Sequence, residues 1–184
     1  AAHTRRDFLY VATGAVGAVG AAFTAWPLIS QMNPDASTIA AGAPIEVDLT
    51  PVAEGQAIKV FWRGKPIYVN HRTPKEIKEA EDVNVATLPD PQPDSARVKK
   101  GHANFQVLIG ICTHLGCSPS AVPAGAGNPS VGGDWKGGFF CPCHGSSFDL
   151  AGRVFKNKPA PTNLEVPPHK YLADGNLLIG EDDT

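Results

Sequence analysis

All four cysteines of the 184-residue chain lie in two short motifs, CTHLGC at 112–117 and CPCHGSSFD at 141–149. Each motif places a cysteine close to a histidine, and the two pairs are Cys112 with His114 and Cys141 with His144. Such pairs reach a common centre only where the backbone turns sharply, and Pro142 and Gly145 both favour a turn. The motifs therefore indicate a metal or cluster centre around which the chain must fold.

A zinc site is an alternative to a cluster, because tetrahedral Zn²⁺ accepts two thiolates and two imidazoles. Zinc motifs usually group cysteine with cysteine and histidine with histidine, whereas each motif here mixes the two types. Two further cysteines, Cys117 and Cys143, are also left over. One motif alone would suit a buried free cysteine or half of a disulfide, but two matched motifs favour a cluster.

The two motifs together resemble the cluster-binding boxes of the Rieske iron–sulfur proteins. The resemblance implies one 2Fe-2S cluster in which two thiolates hold one iron and two imidazoles hold the other. By position in the motifs, the implied ligands are Cys112, His114, Cys141 and His144. The resemblance also implies a disulfide between Cys117 and Cys143, as in the respiratory branch of the family, and a hydrogen bond from Ser146 to a cluster sulfur.

Ligation by imidazole determines the redox chemistry that the resemblance implies. Replacing two thiolates by neutral imidazoles raises the potential to about −150 to +300 mV, against roughly −400 mV for plant-type ferredoxins. Each ring keeps an outer nitrogen, so His144 and His114 are expected to be the catalytic residues that take a proton together with the electron. Phe148 stands where many high-potential relatives carry a tyrosine hydroxyl, which predicts a lower potential unless Ser147 compensates.

The N-terminal residues predict export and a membrane anchor. The twin arginines in TRRDFL, Arg5 and Arg6, resemble a twin-arginine export signal. Residues 8–29 are uncharged and would span about 33 Å as a helix, enough to cross a bilayer core of roughly 30 Å. The arginines favour a cytoplasmic segment 1–7 and a periplasmic head at the inner membrane of a bacterium. A signal peptide cleaved at Ala41-Gly42-Ala43 is the alternative, and we expect the retained anchor.

The remaining sequence divides into a tether and a head. Residues 30–44 are rich in Ala, Pro, Ser and Gly, which predicts a flexible tether, and the resemblance implies a hinge. Residues 45–184 suit one domain with the short β-type runs IEVDL, IKVFW, PIYVN, FQVLIGI, GFF, RVF and LLIG. One helix is predicted from the N-cap Thr73 to about Asp82, and 88–100 is predicted to be a solvated loop. The fold class is all-β, which the resemblance sharpens to a Rieske-type antiparallel β-sandwich with a cluster-binding tip.

A docking tip and a set of partners follow from the resemblance. Leu115 and Gly116 lie beside the ligands, and Pro159 belongs to a segment, KPAP, that resembles the proline loop packed near the cluster in the family. The implied partners are a cytochrome b subunit, a c-type cytochrome subunit, ubiquinol and the membrane, within a dimer of the whole complex. A net charge of −2 gives no electrostatic footprint for nucleic acid.

The resemblance implies the function of the iron–sulfur subunit of a ubiquinol–cytochrome c oxidoreductase. Such a subunit accepts an electron and a proton from quinol and passes the electron to a c-type cytochrome, which contributes to proton translocation. Three alternatives remain. A Rieske ferredoxin for an oxygenase would lack the anchor and the extra cysteines. The Rieske subunit of another periplasmic oxidoreductase, such as arsenite oxidase, would not need a retained helix, and a zinc module would be redox-silent.

Overall fold

The computed structural model describes residues 4–125 and 135–182 of the chain. The chain divides into two compact units, Ala1–Ala41 and Gly42–Thr184. The first contains two helices, and the second contains a third helix and nine short strands among its described residues. The division falls inside the segment predicted as a tether.

Helix α1 comprises Arg5–Ser30 and contains the whole uncharged segment. It begins at Thr4, whose hydroxyl accepts from Asp7 N at 3.3 Å, while the Asp7 carboxylate accepts from Thr4 N at 2.8 Å. This capping box satisfies amide groups that the start of a helix leaves unpaired. The helix is long and apolar enough to cross a membrane, and it is exposed along almost its whole length. A membrane anchor and an export signal both have these properties.

A short helix, α2, occupies Ala36–Ala41 within the predicted tether. Its first turn is capped by Asp35, whose carboxylate accepts from Thr38 N at 2.7 Å and from Ser37 Oγ at 2.8 Å. The composition of residues 30–44 predicted no regular structure, so this helix differs from the expectation. A capping aspartate near helix-favouring alanines accounts for it, and hinge motion of the segment stays a prediction.

The strands of the head form three antiparallel sheets. Their bounds are β1 Ile45–Val47, β2 Ala57–Trp62, β3 Lys65–His71, β4 Phe105–Ile109, β5 Ser120–Val122, β6 Gly138–Phe140, β7 Ser147–Phe148, β8 His169–Tyr171 and β9 Leu177–Ile179. Each sheet has three strands, in the orders β1-β9-β8, β2-β3-β4 and β5-β6-β7. This architecture confirms the predicted fold class.

Strand β4 is buried on both faces and contributes to two hydrophobic cores. Successive side chains of a strand point to opposite faces. Val107 and Ile109 therefore pack in a first core, between the sheet of β1 and the sheet of β3, whereas Leu108 packs in a second core. The second core also contains Cys112 and Cys141. The central sheet thus supports the region where the two predicted motifs meet.

A tight hairpin joins β2 to β3 and holds the start of the head. Arg63 and Gly64 form its two-residue loop, with φ of 51° and 72°, the left-handed geometry that suits the twist of the strands. At the same end, Trp62 Nε1 donates to Ala43 O at 3.0 Å and Arg63 Nε donates to Gly42 O at 3.2 Å. These bonds determine where the chain enters the head.

Most predicted strands are present, with two kinds of difference. The run RVF at 153–155 forms only an isolated bridge at Val154. Strands β5, β7 and β8 were not predicted, because their two or three residues contain no apolar run. Helix α3, Pro74–Glu81, begins at Thr73 in a capping box, as predicted.

The segment 88–100 is partly buried, so the prediction of a solvated loop was wrong. Asp94 and Arg97 are each 4% exposed. Arg72 Nη1 donates to Asp94 Oδ1 at 2.7 Å, and Arg97 Nε donates to Ala151 O at 2.6 Å. Charged side chains are tolerated in this position because each has a charged or carbonyl partner. Composition alone does not reveal such partners.

Candidate cluster-binding site

The two cysteine–histidine motifs form loops with the same backbone hydrogen bonds. In the first, Cys112 N donates to Cys117 O at 2.7 Å and Gly116 N donates to Cys112 O at 2.9 Å. The second loop repeats both bonds at the equivalent residues, which are Cys141, Gly145 and Ser146. Gly116 and Gly145 have φ of 85° and 78°, which residues with a Cβ rarely adopt. Each loop therefore folds back on its first cysteine.

The predicted ligands come together as a pair of thiols and a pair of rings. Cys112 and Cys141 are each 2% exposed, lie in the second core and are in side-chain contact. The rings of His114 and His144 meet edge to face, with centroids 4.8 Å apart. Each loop contributes one thiol and one ring, so a centre held by all four requires both loops.

The donor atoms fit a cluster with sulfur ligands on one iron and nitrogen ligands on the other. His114 Nδ1 is buried and has no hydrogen-bond partner in the described part of the chain. A buried polar atom without a partner costs about 1–3 kcal/mol, and coordination of a metal would remove that cost. Burial raises the pKa of the Cys141 thiol, and a bound metal would offset this by stabilising the thiolate. Two thiolates with two imidazoles are the ligand set of a Rieske cluster.

A disulfide joins the two loops, as the resemblance implied. Cys117 and Cys143 are bonded, with Cα atoms 6.6 Å apart and a sequence separation of 26. Their sulfurs lie within 4.8 Å of the sulfur of Cys141. The bond ties the loop of His114 to the loop of His144, so it limits how far the two rings can move apart.

The segment 158–162, here called the proline loop, is hydrogen-bonded to both ligand loops. Ser146 is fully buried, and its Oγ accepts from Ala160 N at 3.0 Å. Thr113 Oγ1 donates to Thr162 O at 2.7 Å. The contact of Thr113 was not predicted, and the one sequence signal for it is a hydroxyl placed between two predicted ligands.

Phe148 and Ser147 point to opposite sides of β7, as successive strand residues do. Phe148 is fully buried in the second core with the two thiol-bearing cysteines. Ser147 instead lines a cavity of about 370 Å³, together with Trp135 and Phe155. The Ser147 hydroxyl therefore does not replace the hydroxyl that Phe148 lacks. A lowered potential stays a prediction.

The residues of the predicted docking tip are exposed. Leu115 is 71% exposed, and Gly116 and Pro159 are exposed as well. The two predicted histidine ligands differ, since His144 is exposed and His114 is half-buried. The ligand loops thus present one large apolar side chain and one accessible imidazole that a partner could cover.

Comparison with known proteins gives matches over most of the chain. The family model Rieske [2Fe-2S] domain matches residues 52–168, and the model Ubiquitinol-cytochrome C reductase Fe-S subunit TAT signal matches residues 1–35. The ubiquinol-cytochrome c reductase iron-sulfur subunit of Bradyrhizobium diazoefficiens is 64% identical over 177 residues, covering 96% of this chain and 94% of the relative. The subunit of the same description from Blastochloris viridis is 59% identical, covering 96% of this chain and 93% of the relative.

One solved structure extends the likeness to the fold. A chain of a hyperthermophilic respiratory complex III is 28% identical to this chain, with a TM-score of 0.50. The match covers 91% of this chain and 98% of that chain. The similarity therefore includes the N-terminal unit as well as the head.

Proposed function

Since the chain belongs to the family of ubiquinol–cytochrome c reductase iron–sulfur subunits, we propose that it carries electrons from ubiquinol to a c-type cytochrome within that complex. The observations that support this most are that the thiols of Cys112 and Cys141 lie in one core and that the rings of His114 and His144 are in contact, each loop contributing one thiol and one ring. As a subunit of an oxidoreductase, the chain acts together with other subunits.

Four side chains of the two loops would hold the 2Fe-2S cluster, namely Cys112, Cys141, His114 and His144. When bound, the cluster supplies a one-electron carrier whose imidazole ligation favours a high potential. The buried thiols lie in the second core, which keeps their thiolates away from water. The unpartnered Nδ1 of His114 supports ligation through that atom, which leaves Nε2 available to hold a proton.

His144 is the better placed of the two histidines to meet quinol, because it is exposed. Its outer ring nitrogen can accept a hydrogen bond from a quinol hydroxyl and then take up the proton. His114 lies edge to face against this ring and limits its rotation. Release of the proton to water outside the membrane would contribute to proton translocation.

The exposed tip supports docking against a cytochrome b subunit. Leu115 is the large apolar side chain of the tip, and burying such a side chain against a partner contributes about 1.5–3 kcal/mol. Gly116 and Pro159 beside the ligand loops add no charge to this surface. The tether 30–44 would let the head leave cytochrome b and reach the c-type cytochrome. In this proposal the whole complex is a dimer.

The N-terminal unit supports a location in the bacterial inner membrane. The proposal puts residues 1–7 in the cytoplasm, 8–29 across the membrane as a single-pass anchor, and the head, 45–184, in the periplasm. The twin arginines favour this orientation, and the match to a TAT signal model agrees with export of a folded head. The disulfide suits an oxidising compartment.

Complementation of a strain that lacks this chain tests the proposal. Membranes that contain the wild-type chain should reduce cytochrome c with ubiquinol, and membranes that contain His144→Ala should not. His102→Ala is the matched control, because His102 stacks on Tyr171 and lies outside both loops. Ubiquinol oxidation at the wild-type rate by His144→Ala membranes would refute the assignment of the site.

A further inference from the structure

The proline loop offers a single amide donor beside the cluster-binding loops. In Pro159-Ala160-Pro161 the two prolines have no N–H, so Ala160 carries the one backbone donor of this stretch. That N–H donates to Ser146 Oγ at 3.0 Å. Ala160 is 3% exposed and packs in the second core with Cys112 and Cys141. Water therefore does not compete for this bond, which is stronger in such surroundings.

The bond from Ala160 limits which further hydrogen bonds the Ser146 hydroxyl can make. A serine hydroxyl has one hydrogen to donate and two lone pairs that accept. Ala160 occupies the accepting side, and the hydroxyl hydrogen has no acceptor among the residues that the structure describes. Ser146 is fully buried, and its carbonyl accepts from Cys141 N at 2.8 Å. Ser146 is therefore bonded through its backbone to a predicted cluster ligand, and its hydroxyl is shielded from bulk solvent.

We propose that the Ala160 N–H is a positioning group for the cluster, because it orients the Ser146 hydroxyl to donate its hydrogen to a cluster sulfur. The inference rests on the proposed ligand set and adds a residue that itself binds neither iron nor sulfur. A hydrogen bond to sulfur stabilises the reduced, more negative cluster and raises the potential. The prolines on either side hold the amide rigidly in place. The proline loop thereby influences the potential through one N–H group.

The rest of the proline loop is held independently of this bond. Thr113 Oγ1 donates to Thr162 O at 2.7 Å, which ties the end of the segment to the first ligand loop. Beyond it, Asn163 Nδ2 donates to Asp90 O at 3.0 Å. Loss of the amide–hydroxyl bond should therefore change the potential without releasing the segment.

An ester in place of the amide at position 160 tests the proposal, since lactic acid incorporated instead of Ala160 removes the N–H and keeps the methyl group. In the complete complex, redox titration followed by EPR should give a lower midpoint potential for the ester than for the wild type. Ser146→Ala should also lower the potential. The ester in the Ser146→Ala background should add no further shift, because both changes act through the same hydroxyl. The same ester substitution at Ala86, whose N–H donates to Asn84 Oδ1 outside both loops, is the control and should titrate like the wild type.

The outcomes separate this inference from the proposed site. Suppose that Ser146→Ala shifts the potential. The role of Ala160 is then overturned if the ester has no effect on the potential, or if the ester shifts the potential equally in the wild-type and Ser146→Ala backgrounds. If Ser146→Ala itself leaves the potential unchanged, the proposed place of Ser146 beside the cluster is wrong. Amide hydrogen exchange adds a readout that is independent of electron transfer. Exchange at Ala160 should be faster in Ser146→Ala than in the wild type, and equal protection would contradict the bond.

Discussion

Individual histidines of this chain differ in what their ring nitrogens contact. His71 and His169 each have Nδ1 near a backbone carbonyl oxygen, at 2.7 and 2.8 Å. His114 has a buried Nδ1 without such a partner in the described residues, and its ring lies against that of His144. A ring nitrogen with a carbonyl partner needs no metal. The unpaired ring nitrogen thus belongs to a histidine that the spacing to cysteine also predicts to be a ligand.

Phe148→Tyr should raise the potential of the cluster. The added hydroxyl would enter the core that contains both thiol-bearing cysteines, where it can donate to sulfur and stabilise the reduced state. A differential stabilisation of about 1 kcal/mol corresponds to roughly 40 mV for a one-electron couple. Redox titration measures the shift, and Phe155→Tyr, at the cavity on the other side of β7, should leave the potential unchanged. An unaltered potential in Phe148→Tyr, with full cluster content, would contradict the account.

Tyr171→Phe should stabilise the head. The Tyr171 hydroxyl is buried without a partner in the described part of the chain, so its removal should raise the free energy of unfolding by about 1 kcal/mol at pH 7. Burial raises the pKa of this hydroxyl, against a smaller lowering by Arg72. The folded-state pKa therefore exceeds the unfolded value of about 10. Above about pH 10 the tyrosine ionises more readily in the unfolded chain than in the folded one, so the free energy of unfolding of the wild type falls as the pH rises further.

Urea unfolding of wild type and Tyr171→Phe at neutral and alkaline pH measures both effects. The variant should lose less stability than the wild type above about pH 10. Tyr68→Phe is the matched control, because the Tyr68 hydroxyl donates to Pro119 O at 2.6 Å and its loss should destabilise the head. A destabilisation of Tyr171→Phe equal to that of Tyr68→Phe would show that the Tyr171 hydroxyl is satisfied after all.

Among the structural elements, the segment 88–100 contains one partner of a buried ion pair, Asp94 with Arg72. Asp94→Ala should lower the free energy of unfolding by about 3–5 kcal/mol, because it leaves the Arg72 guanidinium buried without its carboxylate. Glu79→Ala removes a 4.0 Å pair with the exposed Lys75 and should change stability by less than about 1 kcal/mol. Thermal and urea unfolding compare the two variants. Similar losses in both would mean that the pair of Arg72 and Asp94 does not hold this segment.

The disulfide between the two ligand loops should contribute strongly to the stability of the head. In the chain-entropy model, a loop of this separation contributes about 3.5 kcal/mol. Replacing Cys117 and Cys143 together by serine should remove that contribution and loosen the ligand loops, so cluster loss on heating should begin at a lower temperature. Thiol reductant should reproduce the effect in the wild type and have no effect on the double variant. Equal melting temperatures of wild type and double variant would contradict this prediction.

Elements that are determined by residues close together in the sequence were predicted correctly. Helix α3 is specified by Thr73 and the residues just after it, and the sharp turns of the two cysteine–histidine motifs are specified by Gly116 and Gly145, while ligation by these motifs stays a prediction. The segment 88–100 was predicted wrongly because Asp94 pairs with Arg72 across 22 residues. Likewise Ala160 reaches Ser146 across 14 residues, and neither partner marks the other in the sequence. The pairing of polar groups that lie far apart in the sequence is thus the feature of the fold that composition and periodicity do not predict.

At the scale of the whole chain, a short segment that is predicted to be a tether joins the N-terminal helix to the head. Helix α1 ends at Ser30, and the carbonyls of Gly42 and Ala43 are already held by the hairpin of the head. The residues between them could extend about 35–40 Å at most, and less while α2 is helical. This reach is the physical basis of the proposed movement between cytochrome b and a c-type cytochrome.

The central claim is that this chain carries a histidine-ligated 2Fe-2S cluster of high potential. Low-temperature EPR of membranes reduced with ascorbate tests it most directly, because ascorbate reduces centres of high potential and leaves those of low potential oxidised. We predict a rhombic signal with an average g value below that of the free electron, absent from membranes with His114→Ala. A signal that appears only with dithionite would contradict the high potential. No signal with either reductant, in membranes that contain the chain, would contradict the cluster itself.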